Sequence, residues 1–433
     1  MTPKKALLWF RNDLRLDDHE VLAQLPESVY QLLCVYCIDP RDWESQDPGI
    51  SRTGPFRTQF LLESLHQLRQ DLRARGNDLL VRIGPPEWVI PEISQDWDPD
   101  IIYFEKEIAP YENQVEVELI NNVRSRWFIK TYYGKSLLHP LDLPFDIDQL
   151  PDVFTKFRNL VEKKASLRPP YPCPETLPPY PQEEWPTAPI PEFQDICSEK
   201  LPPVDPRAKF SYHGGEKSAQ EHLIQYFSAP QKALHYKETR NGLLGADFST
   251  RFSAWLSMGN LSPRRIMQQL KDFEAQHGAN DSTYWIFFEL LWRDYFRFAV
   301  WKYGSAFFQK NGIKNQAPPM QAHKGRFEQW RTGQTGQPFV DACMRELLHT
   351  GFMSNRGRQN VASYLVKDLN VDWRWGAAWF ENRLIDYDPC SNYGNWAYVA
   401  GVGNDPRPNR WFNVERQAEM YDPEQSFQHH WLS

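Results

Sequence analysis

Five short apolar runs, at residues 6–10, 32–38, 79–83, 101–105 and 127–132, punctuate the first 130 residues. Runs this short and this unbroken read as strands covered on both faces, because a strand with one face in water alternates apolar with polar residues. Between the second and third runs, Phe60, Leu61, Leu65, Leu68 and Leu72 recur at helical spacing. A helix inserted between two buried strands makes the connection a crossover and the pairing parallel. The expected fold class is therefore α/β followed by all-α, and its first domain, over 1–135, is a doubly wound, Rossmann-like parallel sheet.

The pattern changes twice after that sheet. Residues 136–205 are proline-dense, as in Arg168-Pro169-Pro170-Tyr171-Pro172 and Leu177-Pro178-Pro179-Tyr180-Pro181. Proline removes backbone donors and stops helices, so this stretch is expected to be a surface connector between domains. Over 206–433 the helical period dominates, with helices expected at 216–227, 263–275, 284–303, 338–350, 358–370 and 377–385.

Composition narrows the class of protein. A chain of 433 residues can bury more than one core. Its formal net charge of -7 gives no global field towards nucleic acid, so a DNA site has to be a local patch. No stretch approaches the roughly 20 apolar residues of a membrane span. The start, Met1-Thr2-Pro3-Lys4-Lys5, leads into a strand and lacks the form of a signal peptide, so a cytoplasmic monomer without membrane contact is expected. Cys34 and Cys37 have CxxC spacing, but they fall inside an apolar run and have no second pair, which makes them core residues of a strand.

Seventeen tryptophans need an explanation, and many of them lie among fixed charges. Glu289 and Arg293 are four apart in an otherwise apolar helix, beside Trp292; the simplest reading is an i,i+4 ion pair. Ser249-Thr250-Arg251-Phe252-Ser253 precedes a helix, where hydroxyls and free N–H groups suit either a cap or a phosphate. Asn355, Arg356 and Arg358 cluster after Gly351, and Arg407 and Arg410 follow the Gly401-Val402-Gly403-Asn404-Asp405 turn. Asp386 and Asp388 stand two apart before Pro389, without a histidine, so a turn with an N-cap is favoured over a metal site and no metal is expected. Together the segment 355–396 reads as a pocket for a large, charged, redox-active cofactor.

The order and spacing of these pieces resemble the photolyase/cryptochrome flavoprotein family over essentially the whole chain. The resemblance rests on Trp9-Phe10-Arg11-Asn12-Asp13-Leu14-Arg15, Glu289-Leu290-Leu291-Trp292-Arg293, Asn355-Arg356-Gly357-Arg358 and Ile385-Asp386-Tyr387-Asp388. Within the family the chain is most similar to DASH cryptochromes, through Gly214-Gly215-Glu216, Tyr236-Lys237-Glu238-Thr239-Arg240-Asn241-Gly242 and Gly401-Val402-Gly403-Asn404-Asp405-Pro406-Arg407.

The resemblance implies FAD bent inside the helical domain. Its phosphates would meet Tyr236 and the stretch Ser249, Thr250, Arg251, Phe252 and Ser253, with Glu289 and Arg293 nearby. Its ring would meet Asn355, Arg358, Asp386, Asp388 and Asn392, with Arg358 and Asp386 ion-paired and Asn392 facing the flavin N5. The implied activity is that of a deoxyribodipyrimidine photo-lyase of DASH type, repairing cyclobutane pyrimidine dimers in DNA, preferably single-stranded. Glu289, Trp292, Gln359 and Tyr398 would receive the lesion, while Arg356 and Arg407 would contact DNA phosphates. The alternative is a blue-light receptor acting through a protein partner. For electron transfer, Trp396 and Trp373 match the family's relay, but Met320 stands where its third tryptophan is expected, so the relay would stop at Trp373 or detour through Trp301 or Tyr303. A 5,10-methenyltetrahydrofolate antenna would be anchored by Glu107.

Overall fold

The computed structural model describes residues 4–46, 48–123, 126–316, 318–407 and 410–433; Met1, Thr2 and Pro3 of the expected lead-in lie outside them. The amino-terminal half contains a five-stranded sheet of β1 (Lys5–Phe10), β2 (Gln31–Ile38), β3 (Leu79–Ile83), β4 (Ile101–Glu105) and β5 (Phe128–Tyr132). Their order is β3-β2-β1-β4-β5 and every pairing is parallel. Leu7 sits in register with Leu33 on one side and Ile102 on the other. This is the expected doubly wound sheet, and the crossover helix between β2 and β3 spans Pro55–Arg73.

Side chains alternate between two cores. Leu7, Trp9, Leu33 and Val35 pack against the helices Pro86–Trp97 and Pro110–Val123. Leu8, Phe10, Leu32 and Cys34 face the Pro55–Arg73 helix and join a core that runs on into the helical half. Burying each such side chain contributes about 1.5–3 kcal/mol, which is why the strand sequences are nearly all apolar. Cys34 and Cys37 fall in opposite cores, both unpaired, and burial pushes both thiols up. Neither is placed for redox work.

The stretch expected as a plain connector contains an unforeseen helix, Phe154–Lys164, which buries Phe154, Phe157 and Val161. Their spacing of three and four was legible, but the surrounding prolines hid it. Phe154 stacks on Trp292 at 3.7 Å between ring centres, 10° from parallel. The rest of the connector is pinned as well, for Leu177 donates to Arg75 O and Asn77 donates to Pro178 O.

The Trp9–Arg15 motif proves to be a clasp between the halves. Arg15, 2% exposed, donates to Gly259 O, Asp17 O, Asp18 O and Gly134 O. Asn260 donates to Leu14 O, and the Glu216 carboxylate accepts the N–H groups of Leu16 and Asp17. Gly259, at φ +75°, has no room for a side chain, since a Cβ there would lie 2.0 Å from Asn12 O.

The helical half places the helices Asp281–Tyr303, Asn355–Ser363 and Pro389–Ala400 around one cavity, with Trp373–Arg383 packed on the last of them. Two expectations shift here. The helix expected at 358–370 begins at Asn355 and ends in a wider π turn, Tyr364–Asp368. The one expected at 377–385 is Trp373–Arg383. Pro389 opens the Pro389–Ala400 helix at its first position, where the missing N–H costs nothing.

Candidate cofactor and substrate cavity

The cavity has a volume of about 460 Å³ and opens to the surface. One wall is the Asp281–Tyr303 helix, which contributes Trp285, Glu289, Trp292 and Arg293. Across from it stand Asn355, Arg358 and Gln359, on a helix capped by the Ser354 hydroxyl accepting Gly357 N–H. Ser249 to Ser253 line one end, and Asp386, Asp388, Ser391, Asn395 and Tyr398 complete the lining.

Its floor is charged. Arg358 donates to Asp386 at 2.8 Å and also to Met353 O. The second oxygen of Asp386 is buried and has no protein partner among the described residues. A buried carboxylate oxygen left unpaired costs about 1–3 kcal/mol unless a ligand donates to it. Asp388 caps the Pro389–Ala400 helix by accepting Ser391 N–H at 2.8 Å, as the N-cap reading anticipated. Burial pushes its carboxyl up, but Lys135, Arg293 and Arg297 outweigh this and hold it below the usual range. The floor therefore offers one free acceptor, an ionised carboxylate and the Arg358 cation, a donor set that fits the polar edge of a flavin ring.

The phosphate end is more selective than the sequence suggested. Ser249, Thr250 and Tyr236 line the cavity. Arg251, in the left-handed region at φ 52°, donates to Gly245 O and Ala246 O, so its guanidinium holds its own loop. Phe252 turns into the core against Tyr226 and His222, leaving little but backbone for a ligand.

At the mouth, the expected i,i+4 pair between Glu289 and Arg293 is absent. Glu289 pairs instead with Arg240, and Arg293 donates to Lys135 O and Leu256 O. Arg240 comes from a short turn of helix packed on the Asp281–Tyr303 helix, close enough to compete; Arg293 faces inward, where carbonyls satisfy it. Tyr398 meets the Trp292 ring edge to face at 6.2 Å, and its hydroxyl accepts a hydrogen bond from Arg410 at 3.0 Å.

Several anticipated residues lie off the cavity wall. Arg356 is tied to Asn241, Gln359 and Gln417 and sits over Tyr421; Arg407 is exposed, and of the two arginines after the turn Arg410 lines the cavity. Asn392 is also not a lining residue, and its amide donates to Ala377 O. Sequence reasoning omitted Arg240, Trp285, Ser391 and Asn395 from the site; Trp285 stands at helical spacing from Glu289, and Ser391 and Asn395 from Asp388, whereas Arg240 comes from a separate element and carried no spacing signal.

Trp396 and Trp373 are buried behind the cavity, and Trp373 donates to Lys310 O. Met320 sits nearby, its carbonyl accepting from the Lys310 ammonium. The suggested detours lie elsewhere: Trp301 stacks on Tyr133, and Tyr303 donates to Asp152. Trp301 lines a second cleft of about 540 Å³ with Glu107 and Lys106. Glu107 is not a free anchor there. Lys135 and Asn12 donate to one oxygen and Arg297 to the other, and although burial acts to raise its carboxyl, the two cations hold it far below the usual range.

Comparison with known proteins agrees with this geometry. The model for DNA photolyase matches residues 6–177, and that for the FAD binding domain of DNA photolyase matches residues 285–433. The chain is 49% identical over 433 residues to a protein of Synechocystis sp. named cryptochrome DASH, covering 99% of this chain and 88% of that one. It superposes on the crystal structure of a Synechocystis cryptochrome with a TM-score of 0.95 at 48% identity, covering 100% and 89% of the two chains. An archaeal photolyase from Sulfolobus tokodaii, crystallised with two FAD molecules, gives a TM-score of 0.78 at 25% identity, covering 99% and 90%.

Proposed function

The chain belongs to the photolyase/cryptochrome family, with cryptochrome DASH proteins among its relatives, and from this premise we propose that it repairs cyclobutane pyrimidine dimers under blue light, chiefly in single-stranded DNA. The observation that carries the reading is one cavity with two ends. Its floor has the Arg358–Asp386 pair and a free carboxylate oxygen, while its mouth has Glu289, Trp292, Gln359 and Tyr398. FAD held by Arg358, Asp386 and the Ser249–Ser253 backbone would supply the light-driven, fully returned electron that dimer splitting needs.

The protein's part is electrostatic and steric. Arg358 and the donors around it favour an anionic reduced ring. Asn392, a neutral amide behind the wall and bonded to Ala377 O, brings no acid to the ring. Trp292, held flat by Phe154, and Tyr398 provide aromatic faces on which an extruded base can stack. Glu289 hydrogen-bonds the dimer and stabilises its radical anion. A dimer inside a duplex has to leave the stack at a cost of a few kcal/mol, which a single strand largely avoids. Arg240 and Arg410 at the mouth, with Arg356 and Arg407 beside it, supply phosphate contacts despite the net negative charge of the chain.

The second cleft is assigned to the antenna, a 5,10-methenyltetrahydrofolate, with Lys106 and Asn113 as donors and Trp301 as a stacking face. Because Glu107 is committed to Lys135 and Arg297, its part there is to fix the wall.

Illumination of the reduced protein with dimer-containing DNA tests the repair reading. Single-stranded substrate is repaired faster than duplex, and Glu289→Gln lowers the rate on both. Equal duplex repair removes the single-strand assignment. Absence of repair on either substrate moves the protein to the receptor class.

A further inference from the structure

With methionine at position 320, the relay through Trp396 and Trp373 needs another exit. Trp330 packs on Trp396 at 6.1 Å, but it is fully buried, donates to Val361 O and leads on to Phe327, which is not readily oxidised. Tyr393 offers different chemistry. Its ring meets Trp373 at 6.2 Å, 74° from parallel, and it lies three residues before Trp396 on the Pro389–Ala400 helix, so the two share a face. The phenol donates to Glu381 Oε2 at 3.1 Å. Glu381 in turn accepts from Arg52 at 2.9 Å, and Arg52 bridges to Asp42 and Glu112, both partly exposed. Tyr393 is half-buried as a residue.

We propose that Tyr393 is the terminal electron donor of this chain's photoreduction relay and Glu381 its proton acceptor. The proposal rests on the flavoprotein reading above and on Trp396 and Trp373 as its first two members. One electron leaves Tyr393 for the oxidised Trp373 ring, which returns to its closed shell. The phenolic O–H bond breaks, its proton passes to Glu381, and a neutral phenoxyl radical remains. The electron's final acceptor is the photoexcited oxidised flavin, reached through Trp373 and Trp396. A soluble one-electron reductant such as a thiol later restores Tyr393 as Glu381 returns the proton. The step is favoured at Tyr393 because an oxidised phenol is a strong acid beside a carboxylate, whereas the Trp373 indole faces only a carbonyl.

The test is electron paramagnetic resonance of the FAD-loaded, oxidised protein, frozen under blue light without DNA. Wild type gives a phenoxyl signal whose formation slows in D2O. Tyr393→Phe abolishes that signal and lowers the yield of reduced flavin several-fold, Glu381→Gln slows its appearance, and Tyr393→Trp restores the yield with an indole radical instead. A wild-type signal from tryptophan alone, or Tyr393→Phe with the wild-type yield, overturns the proposal. Bound flavin that light does not reduce overturns the relay and leaves the flavin reading standing, whereas wild-type protein that takes up no flavin removes both.

Discussion

Arg240 donates to the Glu289 carboxylate across the mouth of the cavity, in place of the Glu289–Arg293 pair that helical spacing alone suggests. The cation nearest the proposed lesion contact therefore comes from a different element, and it also lies close to Trp285.

This pairing predicts an effect of Arg240→Gln on binding. Dimer-containing single strands lose about one unit of logarithmic salt slope, because Arg240 at the mouth also meets a phosphate. Binding measured across salt checks it; an unchanged salt slope would show that Arg240 serves Glu289 alone.

At the floor, the two halves of an ion pair are not equivalent. Arg358→Met leaves Asp386 buried without a cation and is expected to cost about 3 kcal/mol, the low end for a broken buried pair because a quarter of the Arg358 side chain is exposed. Asp386→Asn removes the charge and keeps an acceptor, so it costs less. Flavin absorbance relative to protein absorbance after purification should follow wild type, Asp386→Asn, Arg358→Met in descending order.

Glu346 is buried beside the cavity, one oxygen is unpaired among the described residues, and burial pushes its carboxyl up to about 8. The folded pKa lies above the unfolded one, so the contribution is fully present below about pH 4.5 and is lost as pH rises towards 8, a difference of order 4 kcal/mol. Glu346→Gln, neutral throughout, should match wild type near pH 4.5 and exceed it at pH 8 in thermal denaturation. Equal pH slopes for the two proteins would contradict this.

Glu107 behaves in the opposite sense. Its folded pKa is depressed by Lys135 and Arg297, so its stabilisation is present above about pH 4.5 and fades as pH falls towards the folded value. Glu107→Gln leaves two buried cations facing a neutral amide and should lower stability at pH 7 by about 3–5 kcal/mol even without an antenna. Denaturant titration of folate-free protein measures it. Loss of antenna binding with unchanged stability would make Glu107 a ligand anchor after all.

The five strands were legible because a strand buried on both faces leaves a local trace, an unbroken apolar run such as 32–38. The Phe154–Lys164 helix left a trace too, but prolines on either side outweighed it. The ion pair of Arg358 with Asp386 was anticipated through family resemblance, and the observed bond agrees. Spacing alone would have paired Glu289 with Arg293. Arg410, and not Arg407, lines the cavity; the two are three residues apart in sequence, and no periodicity there says which way a side chain points.

The sequence by itself determined which segments become strands and helices and which of their faces are buried, since those depend on residues a few positions apart. Which charges meet, Arg240 with Glu289 or Lys135 and Arg297 with Glu107, was decided only by tertiary structure. Coulomb energy and hydrogen bonding act over a few ångströms between elements far apart in the chain, and packing of the two cores sets those distances.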